Sequence, residues 1–412
     1  EYDEERTDAD KAKQAHKDSL YAILEKVQTF FTDHLRVSAN DDSRHAREYA
    51  YNRWSENFCA EAGIGYAPRE SHAFMEYCRQ QALNEEFLIE LGMFRKNEDD
   101  KLYPMFRERI MIPIRNKWGR IIAYTARYIG SNPKAPKYIN SITSLLYTKG
   151  ETLFGIDRAF RLRDAANFII VEGAPDVLRL QSIGLENTVA TLGTAWNENQ
   201  FEILKHYTSS LCFIPDTDLA KGSPYEPGFK AVMENGALAI QKGFNVTVRE
   251  LPFGLRELTE EELQEKYEGA IPKDAQREVL VKNDADSYIL DMDIYRNLKE
   301  KYFIVWMAEK LFAQVDSLAE EGQCVSRIAG LLRYVKDQMV YTKCIEQLGK
   351  IHGKTRLWRS AVEQVRNESK KSRRTLTMDR KQEEADALRQ VGLFIRNNCY
   401  FCMGKDDEDP IR

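Results

Sequence analysis

The stretch FIIVEGAPDVLRL, residues 168–180, runs from an apolar segment directly into acidic residues. The segment 167–171 predicts a buried strand, and Glu172 follows it at once. Asp176 comes four residues later, in the first turn of a helix predicted at 176–183. In an open parallel sheet, the functional crevice lies at the carboxyl ends of the strands. The stretch therefore predicts two carboxylates at the functional edge of such a sheet.

Short strands and helices alternate around this stretch, from about residue 155 to residue 290. The other strands are predicted at 188–190, 211–215 and 244–251, and the other helices at 197–207 and 228–242. This alternation is typical of a parallel sheet that is covered by helices on both faces. We therefore predict an α/β domain for this part of the chain.

Two further pairs of acids follow predicted strand ends. Asp216 and Asp218 follow the apolar segment 211–215, and Asp284 and Asp286 lie in KNDADSY. The spacing within each pair allows both carboxylates to face one side of an extended segment. Clustered carboxylates repel one another, so such groups persist mainly around bound cations, and oxygen ligands favour Mg²⁺ with Mn²⁺ as a substitute. The alternative for any single pair is a helix cap or a solvated loop.

These segments, with ATLGT at 190–194, resemble the TOPRIM domain of topoisomerases and primases, and most closely that of bacterial DnaG-type primases. The resemblance implies that the acids bind catalytic Mg²⁺ ions. The residues concerned are Glu172, Asp176, Asp216, Asp218, Asp284 and Asp286. Two features depart from the family pattern: Thr217 stands where a glycine is usual, and the loop 219–228 is longer.

A basic segment lies before the acidic stretches. Residues 106–130 predict two strands joined at the turn 116–119, and this segment, PKYINS at 136–141 and LYTKGETLFGIDRA at 146–159 resemble the RNA-polymerase core of the same primases. The resemblance implies that basic and polar residues here hold the template–primer duplex and nucleotide phosphates. They are Arg109, Arg127, Lys137, Asn140 and Lys149. The alternative is that they are outward residues of an ordinary amphipathic sheet, and Tyr124 and Tyr128 are expected in the core.

We predict an α/β TOPRIM domain with a Rossmann-like sheet, preceded by a mixed α+β region and followed by an all-α bundle. The expected divisions are 1–17 (charged, disordered or a fraying helix), 18–154 (basic, α+β), 155–290 (TOPRIM), 291–367 (helical) and 368–412 (linker and the start of a further unit). From Asp293 onwards we expect helices and no strand.

Composition limits the class of protein. Hydrophobic residues make up 43% of the 412, the net charge is −5, and no run is long and apolar enough to cross a bilayer. The cysteines show no disulfide framework, and Cys399 and Cys402 have no second pair at zinc spacing, so no zinc site is expected. We expect a protein of the bacterial cytoplasm, encoded by a host, phage or mobile element. Glu1 at the start suggests a piece of a longer chain.

The predicted function is that of a DNA primase core, which makes short RNA primers on single-stranded DNA from nucleoside triphosphates. Expected partners are the template, the primer–template duplex and a replicative helicase, with no membrane association and a monomeric state. Another TOPRIM enzyme, such as a nuclease, is one alternative, and DNA cleavage without added nucleotides would favour it. A non-catalytic scaffold is another, and template binding without incorporation would favour that.

Overall fold

The computed structural model describes residues 7–162, 166–193, 196–217, 226–268, 271–272, 275–368 and 370. The chain divides into two compact units, Glu1–Trp306 and Met307–Arg412. Several residues of the sequence predictions lie outside the described residues. They are Asp218, the loop residues 219–225, the segment 371–412, and Cys399 and Cys402 within it.

The first part of the larger unit combines helices with an antiparallel sheet. Its helices are α1 (Asp8–Arg36), α2 (Asp41–Trp54), α3 (Glu56–Ala62), α4 (Ser71–Gln80) and α5 (Glu85–Glu90), and its strands are β1 (Gly65–Ala67), β2 (Phe94–Lys96), β3 (Leu102–Pro104), β4 (Arg109–Arg115), β5 (Ile121–Tyr128) and β6 (Tyr138–Asn140). Strands β1, β4, β5 and β6 form one sheet in that order, and β2 pairs with β3. The two predicted strands at 106–130 are confirmed as β4 and β5.

The first six residues of β4 are all buried. Because successive side chains of a strand point to opposite faces, both faces of β4 are buried. Ile110 and Ile112 belong to a core that also contains Ile169 and Val171 of the acidic stretch. Met111 belongs to a second core, which is shared with α1. Strand β4 therefore joins the basic region to the α/β region through one continuous hydrophobic core.

For residues 1–17 the sequence predicted disorder or a fraying helix, and the described part of that segment forms a helix from Asp8 onwards. Helix α1 begins at Asp8, where the Thr7 side chain accepts a hydrogen bond from the Asp10 N–H and Asp10 bonds back to Thr7. This capping box satisfies backbone donors that the start of a helix otherwise leaves unpaired. The charged residues up to position 17 are the first turns of a helix whose later turns are anchored by Leu20 and Leu24.

The α/β region comes next in the chain. A 3₁₀ turn (Lys149–Glu151) ends the basic region. The elements of the α/β region are helices α6 (Ile156–Ala159), α7 (Ala174–Ser182), α8 (Glu198–Lys205), α9 (Glu226–Gln241), α10 (Glu260–Lys266), α11 (Ala285–Tyr288) and α12 (Met292–Asn297), and strands β7 (Phe168–Val171), β8 (Thr188–Ala190), β9 (Ser210–Phe213), β10 (Asn245–Arg249), β11 (Gly254–Glu257), β12 (Glu278–Val281) and β13 (Glu300–Tyr302). Strands β10, β9, β7 and β8 lie in that order and are mutually parallel. This confirms the predicted strands and their parallel arrangement.

The prediction of no strand after Asp293 is wrong. Strand β13 pairs antiparallel with β10, so the sheet is mixed, with an antiparallel edge. A strand of three residues is too short to show the period of two in the sequence. Only its pairing with a distant strand defines it.

The second unit, Met307–Arg412, is helical in its described residues. Helix α13 (Phe303–Phe312) runs across the division, α14 (Leu318–Leu332) and α15 (Gln338–Ile351) follow, and a further helix spans 355–368. Buried Leu332, Leu348 and Trp358 supply its core, and the Trp358 indole donates to the His352 carbonyl at 2.9 Å. Within the described residues, each helix is too short or too polar to span a membrane.

Candidate active site

The turn between β7 and α7 places two acids at the edge of the sheet. Glu172 follows the last residue of β7, and Gly173 is the N-cap of α7. Asp176 is the third residue of the helix, and its Oδ2 accepts a hydrogen bond from the Gly173 N–H at 3.0 Å. A carboxylate in the first turn also suits the positive end of the helix dipole. The arrangement predicted from residues 168–180 is confirmed.

Asp216 follows β9, the strand next to β7 in the sheet, and its backbone N–H donates to Glu172 Oε1 at 3.4 Å. Thr217, which replaces the glycine that the resemblance leads one to expect, bonds to Asn283 on another loop. The Thr217 N–H donates to the Asn283 carbonyl at 2.9 Å, and the Asn283 N–H donates to Thr217 Oγ1 at 2.6 Å. These bonds bring Asp284, the next residue, beside Asp216.

Asp284 has two features that the sequence analysis treated as alternatives. It is the N-cap of α11, since its Oδ1 accepts from the Ser287 N–H at 2.8 Å. It also lines a cavity of about 610 Å³ together with Glu172, Asp176 and Asp216. Four of the six predicted acids therefore converge on one cavity.

Burial and mutual repulsion disfavour ionisation of Asp176 and Asp216. The pKa of Asp176 is well above its usual value, because the group is buried and lies near Asp216 and Asp284. Burial and the charge of Glu172 raise the pKa of Asp216 to about 7, although Lys282 lies 2.8 Å from Asp216 Oδ2 and opposes the shift. Burial is the main cause of both shifts, so a divalent cation in the cavity would favour the ionised forms of the two acids.

This shift gives a prediction for the stability of the metal-free protein. The pKa of Asp216 rises from 3.8 to about 7 on folding, so the folded protein binds more protons than the unfolded chain between these values. Raising the pH through this window therefore favours the unfolded state, by a few kcal/mol. In EDTA, the melting temperature is expected to fall between pH 5 and pH 8, and less so in Asp216→Asn, as measured by circular dichroism. An equal pH dependence in the two proteins would contradict this origin.

Three predicted basic or polar residues line the same cavity: Lys137, Asn140 and Lys149. The Asn140 side chain donates to the Leu192 carbonyl at 3.2 Å, which ties β6 to the segment after β8. Burial and the nearby Arg127 lower the pKa of Lys137, while Asp284 opposes this shift. The cavity thus has acids from the α/β region facing cations from the basic region.

The other two predicted cations are absent from the residues that line this cavity. Arg109 is buried, and its guanidinium donates to the carbonyls of Ala126 and Pro136 at 3.2 and 3.0 Å. It stabilises the strand edge in this structure, which differs from the predicted contact with phosphate. Arg127 donates a hydrogen bond to the hydroxyl of Tyr138 at 3.3 Å, and Tyr138 lines the cavity. Tyr124, expected in the core, is fully buried.

Asp286 is also absent from the cavity wall, although the sequence analysis placed it among the metal ligands. Its side chain is 1% exposed and forms ion pairs with Arg53 and Arg179. Asp218 lies outside the described residues, so its predicted role stays a prediction.

The sequence analysis missed two cations of the cavity, Arg53 and Lys282. Arg53 comes from α2, far from the acids in sequence, and no local pattern marks it. Lys282 begins KNDADSY, the stretch that was singled out for its aspartates alone. A search for the counter-charges of a predicted acidic cluster would have identified Lys282.

The donor set fits a hard divalent cation. The four lining acids, Glu172, Asp176, Asp216 and Asp284, offer only oxygen atoms, which Mg²⁺ and Mn²⁺ prefer. The raised pKa values of Asp176 and Asp216 come first from burial, so a bound cation would favour their ionised forms. In the described part of the chain, no three acidic, histidine or cysteine side chains are already arranged around one metal position. The side chains would therefore turn towards an ion on binding it.

Two segments of the chain match known protein families. Residues 30–160 match the DNA primase catalytic core, N-terminal domain, and residues 169–260 match the Toprim-like family. The chain contains the N-terminal domain of a DnaG primase catalytic core and a Toprim domain. Proteins of the Toprim primase family use a divalent metal ion, in agreement with the oxygen donors of the primase core.

Similar proteins support this assignment. A DNA primase of Staphylococcus aureus is 30% identical over 292 residues, which are 69% of this chain and 45% of the relative. The chain thus spans about half the length of the curated relatives it matches. A DNA primase domain from Pseudomonas aeruginosa has a TM-score of 0.61 at 24% identity, over 84% of this chain and 99% of that one. A DnaG primase catalytic domain bound to ssDNA has a TM-score of 0.61 at 23% identity, over 82% of this chain and 99% of that one. The primase core shares the fold of these domains.

Proposed function

We propose that this chain synthesises short RNA primers on a single-stranded DNA template by metal-dependent nucleotidyl transfer. The observation that carries the proposal is the cavity in which four carboxylates face four cations. The carboxylates are Glu172, Asp176, Asp216 and Asp284, and the cations are Arg53, Lys137, Lys149 and Lys282. A cluster of acids could bind the metal ion of many kinds of enzyme. A cavity with both acids and cations could bind a metal ion and the phosphates of a nucleotide together.

The acids would hold divalent ions, and we propose Mg²⁺ as the resident ion with Mn²⁺ as a substitute. When bound, such ions activate the attacking 3′-hydroxyl and neutralise charge on the leaving pyrophosphate. The protein itself would hold the carboxylate ligands in place. Backbone bonds hold Asp176 at the start of α7, and the Thr217–Asn283 bonds hold Asp284 beside Asp216.

The cations of the cavity would bind the phosphates of the incoming nucleotide and of the template strand. Lys137 and Lys149 come from the basic region and face the acids across the cavity. Their charges stabilise the negative charge that develops on the phosphoryl oxygens during transfer. Affinity for the template should fall with salt, because each phosphate contact releases counterions.

The deciding experiment is incorporation of labelled ribonucleotides on random-sequence single-stranded DNA, with Mg²⁺ and with Mn²⁺. We expect short RNA products that require both template and metal. Cleavage of DNA without added nucleotides would indicate a Toprim nuclease. Template binding without incorporation under either metal would indicate a scaffold.

We propose a replicative helicase as a partner, a monomeric state, and a location in the cytoplasm of a bacterial cell. The similar DnaG primase catalytic domain is bound to ssDNA, which supports a single-stranded template for this chain. We propose the domain boundaries that were predicted from the sequence, with two changes: residues 8–17 are part of helix α1, and the region after Asp293 contains the strand β13.

A further inference from the structure

Asp286 lies behind the acidic cavity at the meeting point of three helices. It is in the first turn of α11, Arg179 lies on α7, and Arg53 lies on α2. The Arg179 Nε is 3.4 Å from Asp286 Oδ1 and 3.1 Å from the Asp286 carbonyl oxygen, and Arg53 pairs with Oδ2. Both oxygens of the carboxylate thus face arginines, while its side chain is 1% exposed.

The backbone of Asp286 connects this cluster to the cavity. Its N–H donates to Asp176 Oδ1 at 3.1 Å, while Asp176 Oδ2 accepts from the Gly173 N–H at 3.0 Å. Each oxygen of Asp176 therefore takes one backbone hydrogen bond, and one of the two donors is placed by the Asp286 ion pairs. A shift of α11 would move this donor away from Asp176.

We infer that Asp286 is a positioning residue: Arg53 and Arg179 clamp it behind the cavity, and it orients Asp176 for metal binding without contacting the metal. The inference rests on the proposed metal-dependent function. Asp284 and Asp286 thus divide the tasks of one acidic pair. Asp284 lines the cavity, while the buried charge of Asp286 holds the loop to helices on either side.

Arg53 has a second consequence for the site, since it also lines the acidic cavity. Its guanidinium lies 5.6 Å from the Tyr49 ring centroid and 5.8 Å from that of Trp54, so both rings help to fix it. The clamp therefore couples the basic region, through α2, to the acid that begins α7. Removing one member of such a buried ion pair leaves an uncompensated charge, which is strongly destabilising.

The test compares the same substitution at two positions, Asp284→Asn and Asp286→Asn. Asparagine is a good N-cap, so Asp284→Asn should fold with a melting temperature close to that of the wild type, while its Mn²⁺ affinity falls by about tenfold or more. Asp286→Asn should lower the melting temperature in EDTA and weaken Mn²⁺ binding by less than Asp284→Asn does, because Asp176 loses its orientation but no ligand is removed. Mn²⁺ binding is measured by electron paramagnetic resonance.

A kinetic measurement separates positioning from a purely structural anchor. At a temperature well below its melting transition, Asp286→Asn should lower kcat by roughly tenfold, as loss of an outer partner of a metal ligand does, with the KM for nucleotide unchanged. If Asp286→Asn folds poorly, Arg179→Gln tests the same clamp, and it too should lower stability and kcat while weakening Mn²⁺ binding less than Asp284→Asn does. The double variant Asp286→Asn with Arg179→Gln should recover part of the lost stability.

Loss of Mn²⁺ affinity in Asp286→Asn equal to that in Asp284→Asn would overturn the inference, because it would make Asp286 a ligand. An unchanged kcat in a folded Asp286→Asn variant would also overturn it. Absence of incorporation by the wild-type chain would contradict the proposed function instead, and the Mn²⁺ affinities and melting temperatures would still decide whether Asp286 is clamped or a ligand.

Discussion

Asp216→Asn is expected to lower the rate of nucleotide incorporation by about a hundredfold or more, since a lost metal ligand removes several kcal/mol of transition-state stabilisation. Asp216 lies between Glu172 and Lys282 and lines the cavity with the other acids. Asparagine keeps the shape of the side chain and removes its charge. The measurement is the incorporation rate at saturating nucleotide, across a titration of Mg²⁺ and Mn²⁺.

The matched control for this substitution is Asp293→Asn. Asp293 lies in the first turn of α12, its side chain is 88% exposed, and it is absent from the cavity wall. The control should incorporate nucleotides at the wild-type rate. If Asp216→Asn did so as well, the cavity acids would not hold the catalytic metal.

Lys137→Ala and Lys149→Ala are each expected to lower kcat/KM for nucleotide by about tenfold to a hundredfold, the usual worth of a hydrogen bond to a charged group. Both lysines line the acidic cavity from the basic side. Because each contributes a phosphate contact, the activity of either variant should also depend less steeply on KCl than that of the wild type. Steady-state incorporation at several KCl concentrations measures both effects.

Lys134→Ala is the matched control for the two lysines. Lys134 is exposed, three residues before Lys137, and it is absent from the cavity wall. We expect wild-type kcat/KM and salt dependence for this variant. Equal losses in all three variants would indicate a general effect of surface charge and would refute a specific phosphate site.

The acids at the strand ends show what can be predicted from the local sequence and what cannot. Glu172 and Asp176 were placed correctly because a strand end and the third residue of the next helix are fixed by a few neighbouring residues. Asp284 and Asp286 were both predicted as metal ligands, yet only Asp284 lines the cavity. Their difference depends on arginines that the chain brings from α2 and α7.

The positions of the basic residues could also be predicted only in part from the local sequence. The apolar segments on either side of the turn 116–119 predicted strands β4 and β5, but they did not show which arginine would be enclosed. Arg109 is buried because carbonyls of two other segments surround its guanidinium. Arg53 reaches the acidic cavity from a helix that carries no acid-site motif.

By itself, the sequence determined the alternation of strands and helices, the parallel central strands, and the acids at the ends of β7 and β9, because each depends on residues close together in the chain. The tertiary structure alone decided the antiparallel edge strand β13, the buried arginine partners of Asp286, and the set of cations that faces the acids. These features depend on contacts between residues far apart in sequence, and such contacts leave no local period to detect.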